Sequence, residues 1–203
     1  MKAEQYLQQY QTFLFEFDNV LYPEKDYILQ VYYLFSQFIE YAEQIEAAGI
    51  LDFMKADFDA HGHEGILDRT LQHFQLDSKY KVNFNLLMQN VRLPLKLLLF
   101  DEMLHFLKMI IEKGKQIFLI INGDPLMALN KFRQTEWQGL ETKIKVYFSS
   151  ESPENSTIST AEKIINLENL KLKDSVIVTN SLISKESLSI DNICFSLDKL
   201  FLP

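Results

Sequence analysis

An α/β protein with a parallel, Rossmann-like sheet and a helical insertion after its first strand is the fold class that this sequence predicts. Three observations carry it. Five short runs are rich in branched or aromatic residues: Thr12–Phe17, Gln116–Ile121, Ile144–Ser149, Ser175–Thr179 and Asn192–Ser196. From the second run onward helical segments separate them, and runs this continuously apolar imply strands buried on both faces and joined by right-handed crossovers. The first and second runs lie about ninety residues apart, where a crossover needs only a dozen or so.

In chain order, TFLFEF at 12–17 reads as the first strand. A helix is predicted after it from Pro23 to about Ala48, because Ile28, Val31, Tyr32, Phe35, Phe38, Ile39 and Ala42 follow the spacing of one helix face. Amphipathic stretches at about 50–60, 65–74 and 78–90 add three more helices. Residues 23–92 therefore read as a helical insertion with its own core, and residues 1–22 and 93–203 as the α/β core. Asp101–Lys113 reads as a helix of that core, with Asp101 as N-cap and Gly114 as C-cap. The second strand runs into Asn122-Gly123-Asp124-Pro125, a strand-to-helix turn with Asp124 as N-cap and Pro125 in the first helical position. The same turn offers a phosphate-sized nest of backbone N–H groups.

A chain of 203 residues, with 47% apolar and 24% charged residues, has room for one sizeable core plus an insertion. The net charge of -8 comes from 28 acidic and 20 basic residues, and the basic ones are scattered. A nucleic-acid partner is disfavoured, because phosphates need a clustered positive surface. Cys194 is the single cysteine, which excludes an internal disulfide and fits a reducing cytoplasm. The oily stretches LPLKLLLF and MIIEKGKQIFLII are broken by charge well short of a membrane span, and the N-terminal MKAEQYLQQY has no apolar signal core. The expectation is a cytoplasmic protein without a membrane partner.

Ligands of open parallel sheets bind at the carboxyl ends of the strands, so the residues there are the ones to question. FLFEFDNVLYPEKDY resembles the first motif of the haloacid-dehalogenase-like (HAD) hydrolases, a strand ending in D-x-D-x-T/V-L, and LIINGDP resembles the second. The helical insertion stands where subfamily I members carry a C1 cap, and members with tyrosine and proline after the first motif, here Tyr22 and Pro23, are especially similar. The resemblance covers essentially the whole chain. It implies a HAD-like Rossmannoid sheet with the strand of Glu16 at its centre, flanked by the strands ending near Ile121 and Thr179. It places the phosphoryl-attacking, Mg²⁺-binding carboxylate at Glu16 and the general acid/base at Asp18. Asn122 and Gly123 become the phosphate-binding candidates. Glu16, the Asp18 carbonyl and Asn180 become the metal ligands.

The resemblance also exposes departures. The phosphoryl-binding hydroxyl of the second motif falls at Ile121, and the lysine of the third falls near Asn155 and Ser156, with Lys163 further along. The acidic fourth motif falls at Thr179, Asn180 and Ser184, so Asp18 alone is unchanged. Glu16 adds a methylene, about 1.5 Å of reach, and misplacing a reacting group by about 1 Å costs on the order of 10²-fold in rate. Neutral Asn180 and Ser184 weaken a site for a hard cation, so Mg²⁺ is expected to be held weakly. Loss of the lysine and hydroxyl removes groups that would neutralise a transferring phosphoryl.

The first expectation is thus a HAD-like protein with a degenerate phosphohydrolase site, weakly active or non-catalytic, binding a small phosphorylated molecule or a protein partner in the old cleft. An active phosphomonoester hydrolase using Glu16 and Asp18 with Mg²⁺ is the alternative. A metal-independent dehalogenase ranks last, because that chemistry wants a short aspartate and lacks the acid kept at Asp18. His61 and His63, without a third ligand nearby, read as a solvated helix connection and as lesser substrate contacts. Trp137 and the many phenylalanines read as packing.

Overall fold

The computed structural model describes residues 2–181 and 190–195. In chain order the elements are α1 (Lys2–Gln9), β1 (Thr12–Glu16), α2 (Glu24–Glu43), α3 (Ala47–His61), α4 (Ile66–His73) and α5 (Tyr80–Asn90). Then come β2 (Leu97–Leu98), α6 (Asp101–Glu112), β3 (Gln116–Ile121), α7 (Pro125–Gln134), β4 (Thr135–Glu136), β5 (Ile144–Phe148), α8 (Thr157–Leu167), β6 (Ser175–Thr179) and β7 (Asp191–Cys194). Contacts divide the chain into two compact units, residues 1–24 with 97–203, and residues 25–96.

The first unit is a five-stranded parallel sheet of order β5-β3-β1-β6-β7. Its central strand runs through Phe13, Leu14 and Phe15, all fully buried, so side chains on both faces need cover. On one face Leu14, Phe118, Ile120 and Ile177 pack with Ala161, Ile164 and Ile165 of α8. On the other, Phe13 and Phe15 meet Phe106 of α6 edge-on at 5.6 and 6.2 Å. The chain has the parallel α/β layout that the alternation of apolar runs and helices predicts, with β1 in the middle.

Several local expectations are corrected. Asp101 is the first residue of α6, with Phe100 at the N-cap, so its carboxylate serves the helix dipole rather than a cap. Gly114, at φ +67, does end the helix in the left-handed conformation that glycine adopts cheaply. α1 and the short parallel pair β2–β4 were not expected, although Ala3, Leu7 and Tyr10 already have helical spacing and are buried. Tyr10 also donates to Asp191 at 2.7 Å, which ties this region to β7.

The second unit holds α2 to α5. The first predicted helix, from Pro23 to about Ala48, ends earlier, at Glu43, and the second begins at Ala47 rather than near residue 50, because Gln44 turns left-handed (φ +59) after α2 and the Glu40 carboxylate accepts the Ala47 N–H at the start of α3. No glycine or proline marks that break. Tyr27, Val31, Tyr32, Phe35 and Ile39 of α2 are buried; Phe35 meets Phe84 of α5 at 5.1 Å, and the Tyr27 hydroxyl donates to the Met88 carbonyl. The histidines are more engaged than a solvated connection requires. His61 Nδ1 lies 3.0 Å from Asp57, and His63 Nδ1 lies 2.7 Å from the Tyr32 hydroxyl, its ring stacked with Tyr32 and Phe84. Among the described residues no helix is long and apolar enough to cross a membrane.

Candidate active site

The strands β1, β3 and β6 end side by side, and Glu16 is the last residue of the central one. Paired residues of a parallel sheet share a face, and alternate residues return to it. Ile120 is the partner of Glu16, so Asn122, two residues on, comes to the same side. There Thr157 donates its hydroxyl to Glu16 Oε1 at 2.5 Å, and the Asn122 amide reaches that oxygen at 3.4 Å and the Thr157 hydroxyl at 2.9 Å. The backbone N–H of Asn180, just beyond β6, donates to Oε2 at 3.0 Å. Thr157 is delivered by the start of α8, which Ser156 caps by accepting the Ser159 N–H. Among the described residues these donors to the Glu16 carboxylate are all neutral.

Asp18 meets the opposite environment. Lys131 of α7 places its ammonium 3.1 and 3.0 Å from the two Asp18 oxygens and 3.2 Å from Glu24, with only 2% of its side chain exposed. The Tyr22 hydroxyl adds a donor to Asp18 at 2.5 Å. Between them the chain turns tightly: Asn19 sits at φ +59, its N–H bonds to the Tyr22 carbonyl, and its side chain pairs with Glu24. Burial pushes the Asp18 carboxyl above the usual carboxylate range; the Lys131 charge opposes that, and the nearby Glu24 adds to it. Phe17 stacks on Trp137 at 5.7 Å, and the indole N–H bonds to the Phe132 carbonyl, so Trp137 is the packing anchor that its sequence context suggests.

No family model matches the sequence, and no curated protein matches it either. Solved structures do. The magnesium-bound form of YfnB from Bacillus subtilis, described as a HAD hydrolase, aligns over 91% of this chain and 87% of its own, with TM-score 0.55 at 11% identity. A HAD phosphatase from Thermococcus onnurineus aligns over 93% and 87%, with TM-score 0.55 at 13% identity. The defluorinating L-2-haloacid dehalogenase Rha0230 aligns over 85% and 74%, with TM-score 0.50 at 12% identity. The chain has a HAD-like fold.

On this HAD-like sheet Glu16 and Asn122 come together, whereas Asn180 arrives through its backbone N–H and Asp18 turns to Lys131. Gly123, at φ +91, follows Asn122 in an exposed turn; Asp124 caps α7 by accepting the Leu126 and Met127 N–H groups at 3.0 Å, so those two amides of the nest already hold a carboxylate. Ile121 is fully buried in β3. Asn155 occupies a left-handed turn before α8, and Lys163 reaches back to Glu151 at 2.8 Å. Thr179 is buried and bonded to the Ser181 carbonyl, while Ser184 lies outside the described residues.

A Mg²⁺ ion prefers several oxygen ligands, with carboxylates to balance its charge. Among the described residues Glu16 is the one carboxylate of the proposed ligands that is not ion-paired, and both of its oxygens already accept hydrogen bonds. Among the described residues no three His, Cys, Asp or Glu side chains gather in a metal-sized group. The residues present do not fit a tightly held Mg²⁺.

Lys131 and Thr157 escaped the sequence reading. Lys131 carried a signal, because Ala128 and Lys131 share the buried face of α7, and a lysine on a core face requires a carboxylate partner. Thr157 stands two residues from Asn155, beside the positions that the resemblance assigned to a lysine.

Proposed function

We propose that this protein is a HAD-like chain whose phosphohydrolase chemistry has lapsed, and that it binds a small phosphorylated molecule or a protein partner at the carboxyl ends of its strands. The reading is carried by the engagement of Glu16. A nucleophilic carboxylate must aim an oxygen lone pair at phosphorus, and three of the about four acceptor sites of the Glu16 carboxylate are engaged by Thr157, Asn122 and the Asn180 N–H. The acid/base candidate Asp18 is committed to Lys131 and Tyr22. Ile121 supplies no hydroxyl and Asn155 no charge where a transferring phosphoryl would be neutralised. Mg²⁺ binding at Glu16 and Asn180 is weak on this reading, for want of negative charge.

The test is hydrolysis of a generic aryl phosphate by the purified protein in millimolar Mg²⁺, with turnover expected barely above background. Restoring Asp at 16 and 180, Thr at 121 and Lys at 155 together should raise the rate more than the single changes add up to, as residues that act as one unit do. Robust turnover of the unaltered chain, abolished in Glu16→Gln, would replace this reading with an active phosphomonoester hydrolase.

A further inference from the structure

The turn that leaves β1 carries a carboxylate near each end, Asp18 and Glu24, and both approach the same lysine. Lys131 comes from α7, more than a hundred residues along the chain, and its ammonium lies 3.0 Å from Asp18 and 3.2 Å from Glu24. Two like charges this close repel one another unless a cation stands between them. The backbone of the turn contributes few bonds of its own: Asn19 N–H to the Tyr22 carbonyl at 2.9 Å, and Leu21 and Val20 N–H to the Phe17 carbonyl at 3.0 and 3.4 Å. Phe17, Val20, Leu21 and Tyr22 are nevertheless all buried, so the turn is held in one conformation.

We propose that Lys131 is a clasp: its ammonium, set between Asp18 and Glu24, locks the segment 18–24 through which the chain passes from β1 to the helical insertion, and its removal lets that segment open while the sheet stays folded. Three donors on one ammonium suit this role, because they can serve both oxygens of Asp18 and one of Glu24 together. The clasp operates whether or not Glu16 supports catalysis, so it stands or falls separately from the proposed function.

Amide hydrogen exchange of the full chain tests it, read at Asn19, Val20, Leu21 and Glu24, whose N–H groups are bonded within the turn. In Lys131→Met, which keeps the apolar stem, these four amides should lose protection by at least about tenfold through an opening insensitive to low urea, the mark of a local event. Unchanged protection, or loss only through the urea-sensitive unfolding that also exposes β1 and β3, overturns the clasp. If Lys131→Met does not fold, Glu24→Gln decides, since Glu24 is 34% exposed and its loss leaves the Lys131–Asp18 pair intact. It should loosen the same four amides by a smaller factor, and wild-type protection there overturns the proposal.

Discussion

Glu16 and Asp18 leave the same strand two residues apart and meet opposite kinds of partner. On the α8 side, Glu16 is held by a hydroxyl, an amide and a backbone N–H. On the α7 side, Asp18 is held by a buried ammonium that it shares with Glu24. Hydrogen bonds from neutral donors to a charged group contribute about 1.5–3 kcal/mol each and can be lost one at a time. A buried ion pair gains little net stability, but removing one partner strands the other charge. The α8 side should therefore yield gradually to substitution, and the α7 side abruptly.

The largest effect is expected at Lys131. Lys131→Met leaves Asp18 and Glu24 facing each other without a counter-charge and should cost about 3 kcal/mol of unfolding free energy in urea titrations. Adding Glu24→Gln to that variant should recover part of the loss, because it removes the repulsion. A double variant less stable than Lys131→Met would break the comparison.

On the α8 side, Glu16→Ala should cost about 2 kcal/mol by the same measurement, since it leaves the Thr157 hydroxyl and the Asn180 N–H without their acceptor, while the Asn122 amide keeps the Thr157 oxygen. Thr157→Val should cost less, about 1.5 kcal/mol, the low end for one hydrogen bond to a charged group, because Glu16 keeps its other donors. A Thr157→Val penalty above that of Lys131→Met would show that neutral and charged partners are not distinguished as argued.

Asp57 of the helical unit sharpens the contrast, because a guanidinium and an imidazole meet at one carboxylate. Arg69 Nε reaches its two oxygens at 2.9 and 2.7 Å, and His61 Nδ1 approaches at 3.0 Å. The Arg69 hydrogen bond holds the Asp57 carboxyl below the usual carboxylate range. A lowered carboxylate contributes stability above its unfolded pKa and loses it as the pH falls through the folded one. The penalty of Asp57→Asn should thus be greater near about pH 7 than near about pH 3 in thermal melts, with a modest difference because Arg69 is partly exposed and solvent screens it. An equal penalty at both pH values would mean that charge contributes nothing there.

β1, β3 and β6 were legible because burial on both faces leaves a continuous apolar run, a property of each segment by itself. The crossovers and the helical insertion followed from such runs and from the long gap between the first two, whereas the central place of β1 was implied by the HAD resemblance. The position of the break between α2 and α3, at Gln44 rather than after Ala48, was not legible, since a left-handed glutamine and a Glu40 carboxylate capping Ala47 carry no composition signal.

At the site, the sequence by itself determined which residue types stand at the strand ends: a long carboxylate at Glu16, an aspartate at Asp18, an asparagine at Asn122, and no lysine or hydroxyl where the HAD resemblance would want them. Only the tertiary structure decided what each of them touches. Glu16 is joined by Asn122 and Asn180 from two strand ends and by Thr157 from the start of α8, and Asp18 by a lysine 113 residues away. Local periodicity records which face a residue takes, whereas a hydrogen bond between distant segments depends on register and on where each helix begins, and a difference of one residue in either would give Glu16 other partners.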